Sequence, residues 1–88
     1  MFNGSRFFNL LRKWEDNDEK DYISILRIVM NHYFDSIAGS ANANRLIIKG
    51  YFFPDTIMHV LDSVGYHNYS LDRSSEPGVT YVTLRNTL

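Results

Sequence analysis

Residues 45–66 read RLIIKGYFFPDTIMHVLDSVGY, and in this stretch a strand passes directly into a helix. Leu46, Ile47 and Ile48, followed by Tyr51 and Phe52, are side chains that suit a pleated, half-buried surface, so a strand is predicted over residues 45–52, with a bend at Gly50. Pro54 and Asp55 then suit the first turn of a helix, where proline lacks a donor that would go unused and aspartate meets the positive end of the dipole. Ile57, Val60, Leu61 and Val64 recur at helical spacing and make the buried stripe of a helix over 54–64. Gly65 stands where a left-handed cap is favoured, and Tyr66 is placed to fold back over the last turn.

Toward the C-terminus, Tyr69 and Leu71 alternate within a strand over 66–72, and Val79, Tyr81, Val82 and Leu84 populate another over 79–86. Ser74, Ser75, Glu76, Pro77 and Gly78 make the turn between them. Toward the N-terminus, Tyr22, Ile25, Leu26, Val29, Tyr33 and Ile37 predict a long core helix over 19–38, closed by Gly39. Ile23, Ile28, Met30 and Phe34 widen its apolar surface, as in a helix packed on two sides or shared with a second subunit.

Phe7, Leu10, Leu11 and Trp14 lie on one face of a short helix within residues 1–16 that begins near Ser5 as its N-cap. With Arg6, Arg12 and Lys13 on it, this helix either docks on the core or lies on a membrane or partner surface. Glu15 to Asp21 holds five carboxylates and one lysine, which supplies Asn17 or Asp18 as the next cap, or an acidic contact for a basic partner. The order is α-α-β-α-β-β. It implies an α+β fold in one domain, 1–88, whose α/β core spans 17–88: a three-stranded, mostly antiparallel sheet packed on the long helix.

The 88 residues leave room for one core, and 44% hydrophobic with 22% charged residues describes a chain that folds. A net charge of −1 gives no general attraction to nucleic acid. The absence of cysteine excludes disulfides, thiolate metal sites and cysteine nucleophiles. With no signal-peptide stretch and no run of about 18 apolar residues, a cytoplasmic location without a membrane span is expected. At 15% aromatic residues, a small core cannot hide every ring, so some are expected where another molecule covers them.

Triads, phosphate-binding glycine loops and dinucleotide fingerprints are absent. Asp55, His59 and Asp62 share a helix face at spacings that suit an acid–base pair or partial metal site, as do His32 and Asp35, but such pairs are ordinary surface contacts. No catalytic residue, metal or cofactor is assigned, and the chain reads as non-enzymatic. A helix followed by a hairpin is also how a winged helix ends, which keeps nucleic-acid binding as the alternative. The helix over 54–64, however, has no Lys or Arg to meet phosphate.

The strand, the entry at Pro54 and Asp55, the exit at Gly65 and Tyr66, and the hairpin with Tyr81, Val82, Thr83 and Leu84 resemble small accessory proteins of tailed bacteriophages, over roughly residues 22–86. Phe53 stands where the entry in those proteins often has a leucine. The resemblance implies a protein made during infection, in the cytoplasm of a bacterial cell, that binds a host or defence protein and alters its activity; it transfers no binding residue. The expected function is therefore a non-enzymatic, self-associating protein-binding module or inhibitor, with Phe2, Phe7, Phe8, Trp14, Tyr51 and Phe52 as contact residues.

Overall fold

A computed structural model describes residues 4–39 and 44–85, in which six elements follow one another: α1 (Gly4–Asp16), α2 (Lys20–Ile37), β1 (Arg45–Lys49), α3 (Pro54–Val64), β2 (Tyr69–Arg73) and β3 (Val79–Leu84). This is the expected α-α-β-α-β-β order and an α+β fold.

The junction of the first two helices departs from expectation. Asp18 adopts φ +55°, its N–H donates to the Glu15 carbonyl at 3.2 Å, and the Glu19 N–H donates to the Trp14 carbonyl at 2.9 Å. These paired bonds are a Schellman closure of α1, with aspartate tolerating the left-handed position. Asp18 is thereby committed to ending α1, and the N-cap of α2 falls to Glu19, whose side chain makes no capping bond. At the other end, α1 starts at Gly4, so Ser5 lies inside the first turn and is not its N-cap.

The same closure, with a glycine, ends α3. Gly65 takes φ +106° and donates to the Asp62 carbonyl, while the Tyr66 N–H reaches the Leu61 carbonyl at 2.9 Å and its ring is buried. Because Tyr66 is consumed by the cap, β2 starts at Tyr69 and not at residue 66. β1 is also shorter than the predicted 45–52: it stops at Lys49, because Gly50 turns the chain out of the ladder.

The sheet is antiparallel throughout in the order β1-β3-β2. β3, whose sequence VTYVTL is the richest in β-branched and aromatic residues, takes the centre and is paired on both sides. In the middle row Ile47 faces Tyr81, and Tyr81 faces Asp72. Leu46, Ile48, Val82 and Leu84 turn inward and are buried. They meet Ile25, Leu26 and Val29 of α2 and the predicted α3 stripe of Ile57, Val60, Leu61 and Val64, each at most 1% exposed.

The wide apolar surface of α2 has a local explanation, since the helix packs against α1, α3 and β1. Ile23, Ile28 and Met30 are half-buried against the core by these neighbours. At its end the expected stripe fails, with Ile37 65% exposed, and Phe34, expected to widen the apolar surface, is 47% exposed. Among the described residues no helix is long and apolar enough to cross a membrane.

Candidate functional site

Two glycines position the aromatic run at residues 51–53. The Gly50 N–H donates to the Gly78 carbonyl at 2.7 Å, tying the β1–α3 loop to the β2–β3 turn. At Gly50 φ is +144°, and a Cβ there would fall on the Phe52 ring. At Gly78 φ is +72°, and a Cβ would stand 3.1 Å from Cζ of Tyr51. Each glycine thus gives one ring a seat that a side chain would fill. Both ends of the assembly are held. The Thr56 and Ile57 N–H groups donate to the Phe53 carbonyl, the Ser74 N–H donates to the Val79 carbonyl, and the Glu76 N–H donates to Ser74 Oγ at 3.0 Å.

Between loop and turn lies a cleft of about 690 Å³, lined by residues 50–54 and 71–80. That is the size of small-ligand and peptide-anchor pockets. Its walls combine the aromatic run with Pro54, Pro77, Leu71 and Val79, and Asp72, Arg73 and Glu76 bring charge to it. Tyr51 is 85% exposed and Phe53 80% exposed. Phe52 is half-buried against the core and anchors the loop from below.

Gly50→Ala is expected to cost about 1–3 kcal/mol from the backbone conformation alone, and to displace Phe52 as well. Urea unfolding reads this as a lower midpoint; an unchanged midpoint would show that the ring has no fixed seat.

The expected contact residues divide. Tyr51 and Phe52 sit together at the cleft, one outward and one as anchor. Phe8 is 62% exposed but stands on α1, apart from the cleft lining. Phe7 and Trp14 correct the expectation of surface contacts, for they are 1% and 3% exposed. The reason is that α1 docks on α2 and α3, placing Phe7 6.0 Å edge-on to Tyr33 and Trp14 5.1 Å from Tyr22. The core therefore extends into α1 and is not confined to 17–88. Phe2 lies outside the described residues.

Phe53 is the residue that sequence reasoning missed. It occupies the N-cap of α3 with extended φ/ψ of −68°/142° and makes no capping bond. Helix N-caps strongly favour Ser, Thr, Asp or Asn. A phenylalanine just before Pro54, where the chain must be extended and the side chain projects from the helix entry, is the signal that was legible.

Asp55, His59 and Asp62 stand on the exposed face of α3, outside the cleft lining. The His59 ring stacks on Tyr22 at 4.8 Å. Asp62 accepts the Tyr69 hydroxyl at 3.0 Å. These contacts give His59 and Asp62 structural partners, and neither of them joins the histidine to a carboxylate of the trio. Among the described residues no group of three or more His, Asp or Glu side chains is placed to hold a metal. As a DNA-reading helix, α3 presents two carboxylates, Met58 and a histidine, and no cation.

The Tyr69 hydroxyl is pushed up to about 12 from 10.0, first by burial and then by its bond to the Asp62 carboxylate and that group's charge. Burial, followed by the nearby Tyr33, raises Tyr66 in the same direction. The fold favours the neutral phenols: the contribution of Tyr69 is complete below pH 10.0 and is lost as pH rises through about 12, and that of Tyr66 is likewise present below pH 10.0 and lost on the alkaline side. Denaturation midpoints are expected to fall across that window, and less steeply in Tyr69→Phe. Equal slopes for the two proteins would remove the Tyr69–Asp62 bond from the account.

Comparison of the chain with protein-family models, with curated proteins and with solved structures returned no match to any of them.

Proposed function

We propose that this chain is a non-enzymatic protein-binding module whose contact site is the cleft between the aromatic loop and the hairpin turn. The observation that carries the reading is the pair Tyr51 and Phe53, more than three-quarters exposed yet held on a loop fastened at both ends. Large rings normally go inside, and a preorganised exposed pair beside a concave surface loses little entropy when a partner covers it. The partner supplies an apolar side chain or short segment that fills the cleft, with Arg73, Asp72 and Glu76 available to its polar groups.

The resemblance to phage accessory proteins directs the search for that partner to bacterial host and defence proteins, whose activity the bound module would inhibit or modulate. The test is capture of a partner from bacterial lysate on the wild-type chain and on Tyr51→Ala/Phe53→Ala. Capture that the double variant retains in full would sink the cleft as the site.

A further inference from the structure

The inward side of the sheet is covered by helices, and among the described residues no helix covers the outward side. The pleat turns Arg45, Ile47 and Lys49 of β1 outward, with Val79, Tyr81 and Thr83 of β3 and Ser70 and Asp72 of β2. Their inward neighbours Leu46, Ile48, Val82 and Leu84 are buried, while all of these outward side chains keep exposed or half-exposed surface. Arg85 continues the pattern one step past β3, since its N–H donates to the Asn68 carbonyl and extends the ladder.

The charge on this face differs from that of the whole molecule. Among the described residues Arg45, Lys49 and Arg85 stand on this face against Asp72 alone, in a chain whose net charge is −1. Eight of the ten carboxylates, Glu15, Asp16, Asp18, Glu19, Asp21, Asp35, Asp55 and Asp62, lie on the helices and the α1–α2 junction. Among the described residues none of the three outward cations is in an ion pair. At the centre of the face the Arg45 guanidinium lies 4.3 Å from the centroid of the Tyr81 ring. Ile47, 45% exposed, is opposite that ring.

We infer that the outer face of the sheet, centred on Tyr81 and meeting the cleft at Asp72 and Val79, is a binding platform for single-stranded nucleic acid. Lys49, Arg85 and an Arg45 guanidinium that lies over the half-exposed Tyr81 ring, none of them in an ion pair among the described residues, offer the two things a single strand requires: neutralisation of phosphates, and flat surfaces on which unpaired bases stack. Asp72 flanks Tyr81 on the β2 side, so the phosphates run along the β1 side, past Arg45 and Lys49, which are about 13 Å apart along the strand. A duplex, whose bases are already stacked, gains nothing from Tyr81. An acidic protein gains from the cations but not from the stacking surface.

Fluorescence anisotropy with labelled dT10 and U10, a ten-base-pair duplex and a poly-glutamate peptide tests this on the full chain. The expected result is binding of one or both single strands, tighter than the duplex and the peptide, weakening with log salt at a slope of about −2 for three phosphates. A preference between dT10 and U10 identifies the natural strand. Tyr81→Ala is expected to weaken binding about 5- to 100-fold, Tyr81→Phe to retain it, and Lys49→Gln, at an exposed position, to lower the slope by about 0.7. Tyr51→Ala/Phe53→Ala should bind as the wild type does. No binding at 20 mM salt, equal binding of poly-glutamate or duplex, or wild-type affinity and slope in both Tyr81→Ala and Lys49→Gln would overturn the inference.

Discussion

Trp14→Ala is expected to remove about 3–5 kcal/mol of stability, and to leave α1 undocked. Trp14 is 3% exposed, 5.1 Å from the Tyr22 ring and 6.2 Å from His59, and its carbonyl accepts the bond that closes α1 against α2. A truncated side chain there leaves a cavity under three helices, which a short α1 of 13 residues cannot collapse to fill without leaving α2. At about 0.05–0.15 kcal/mol per residue, the loss is a large share of what a domain of this size possesses. Urea unfolding followed by far-ultraviolet circular dichroism measures it, and Trp14→Phe should recover most of it. A cost below about 0.5 kcal/mol, the range of ordinary surface changes, would mean that α1 does not dock as described.

Tyr51→Ala/Phe53→Ala should do the opposite, leaving stability nearly unchanged while removing partner affinity. The two rings are 85% and 80% exposed, so truncating them opens little in the core, and Phe52 still holds the loop. Covering an exposed aromatic is worth about 1.5–3 kcal/mol. Two rings therefore account for about 10²- to 10⁴-fold in dissociation constant, at tenfold per 1.4 kcal/mol. The contrast between the variants is diagnostic: weakened binding in Trp14→Ala reports unfolding, whereas weakened binding in the double variant reports the site.

The fold was legible in the sequence because local signals agreed with one another. Pro54 at a helix start, Gly65 at its end, and Ile57, Val60, Leu61 and Val64 between them specify α3 before any tertiary contact is known, and all appear as read. The errors fall where one residue serves two elements. Tyr66 reads both as the residue that folds back over α3 and as the first of a strand, and only the first reading appears, while Asp18 reads as a cap for α2 but is taken by the end of α1.

The site was less legible, because aromatic content announces that rings are exposed without saying which. Phe7 and Trp14 differ from Tyr51 and Phe53 only in what docks on them, a tertiary property. Phe53 alone carried a local mark, an apolar residue at an N-cap. The cleft itself depends on the Gly50–Gly78 bond, which joins residues 28 positions apart and has no trace in local pattern. The sheet's outer face likewise emerges only once β1 and β2 are known to flank β3, which gathers Arg45, Lys49 and Arg85 around Tyr81.

The measurement closest to the central claim is quantitative mass spectrometry of what bacterial lysate leaves on two baits, the wild-type chain and Tyr51→Ala/Phe53→Ala, both first shown to unfold at the same urea midpoint. One protein is expected in near-stoichiometric amount on the wild type, reduced at least about tenfold on the variant. Identical recoveries on the two baits, including none on either, would contradict it.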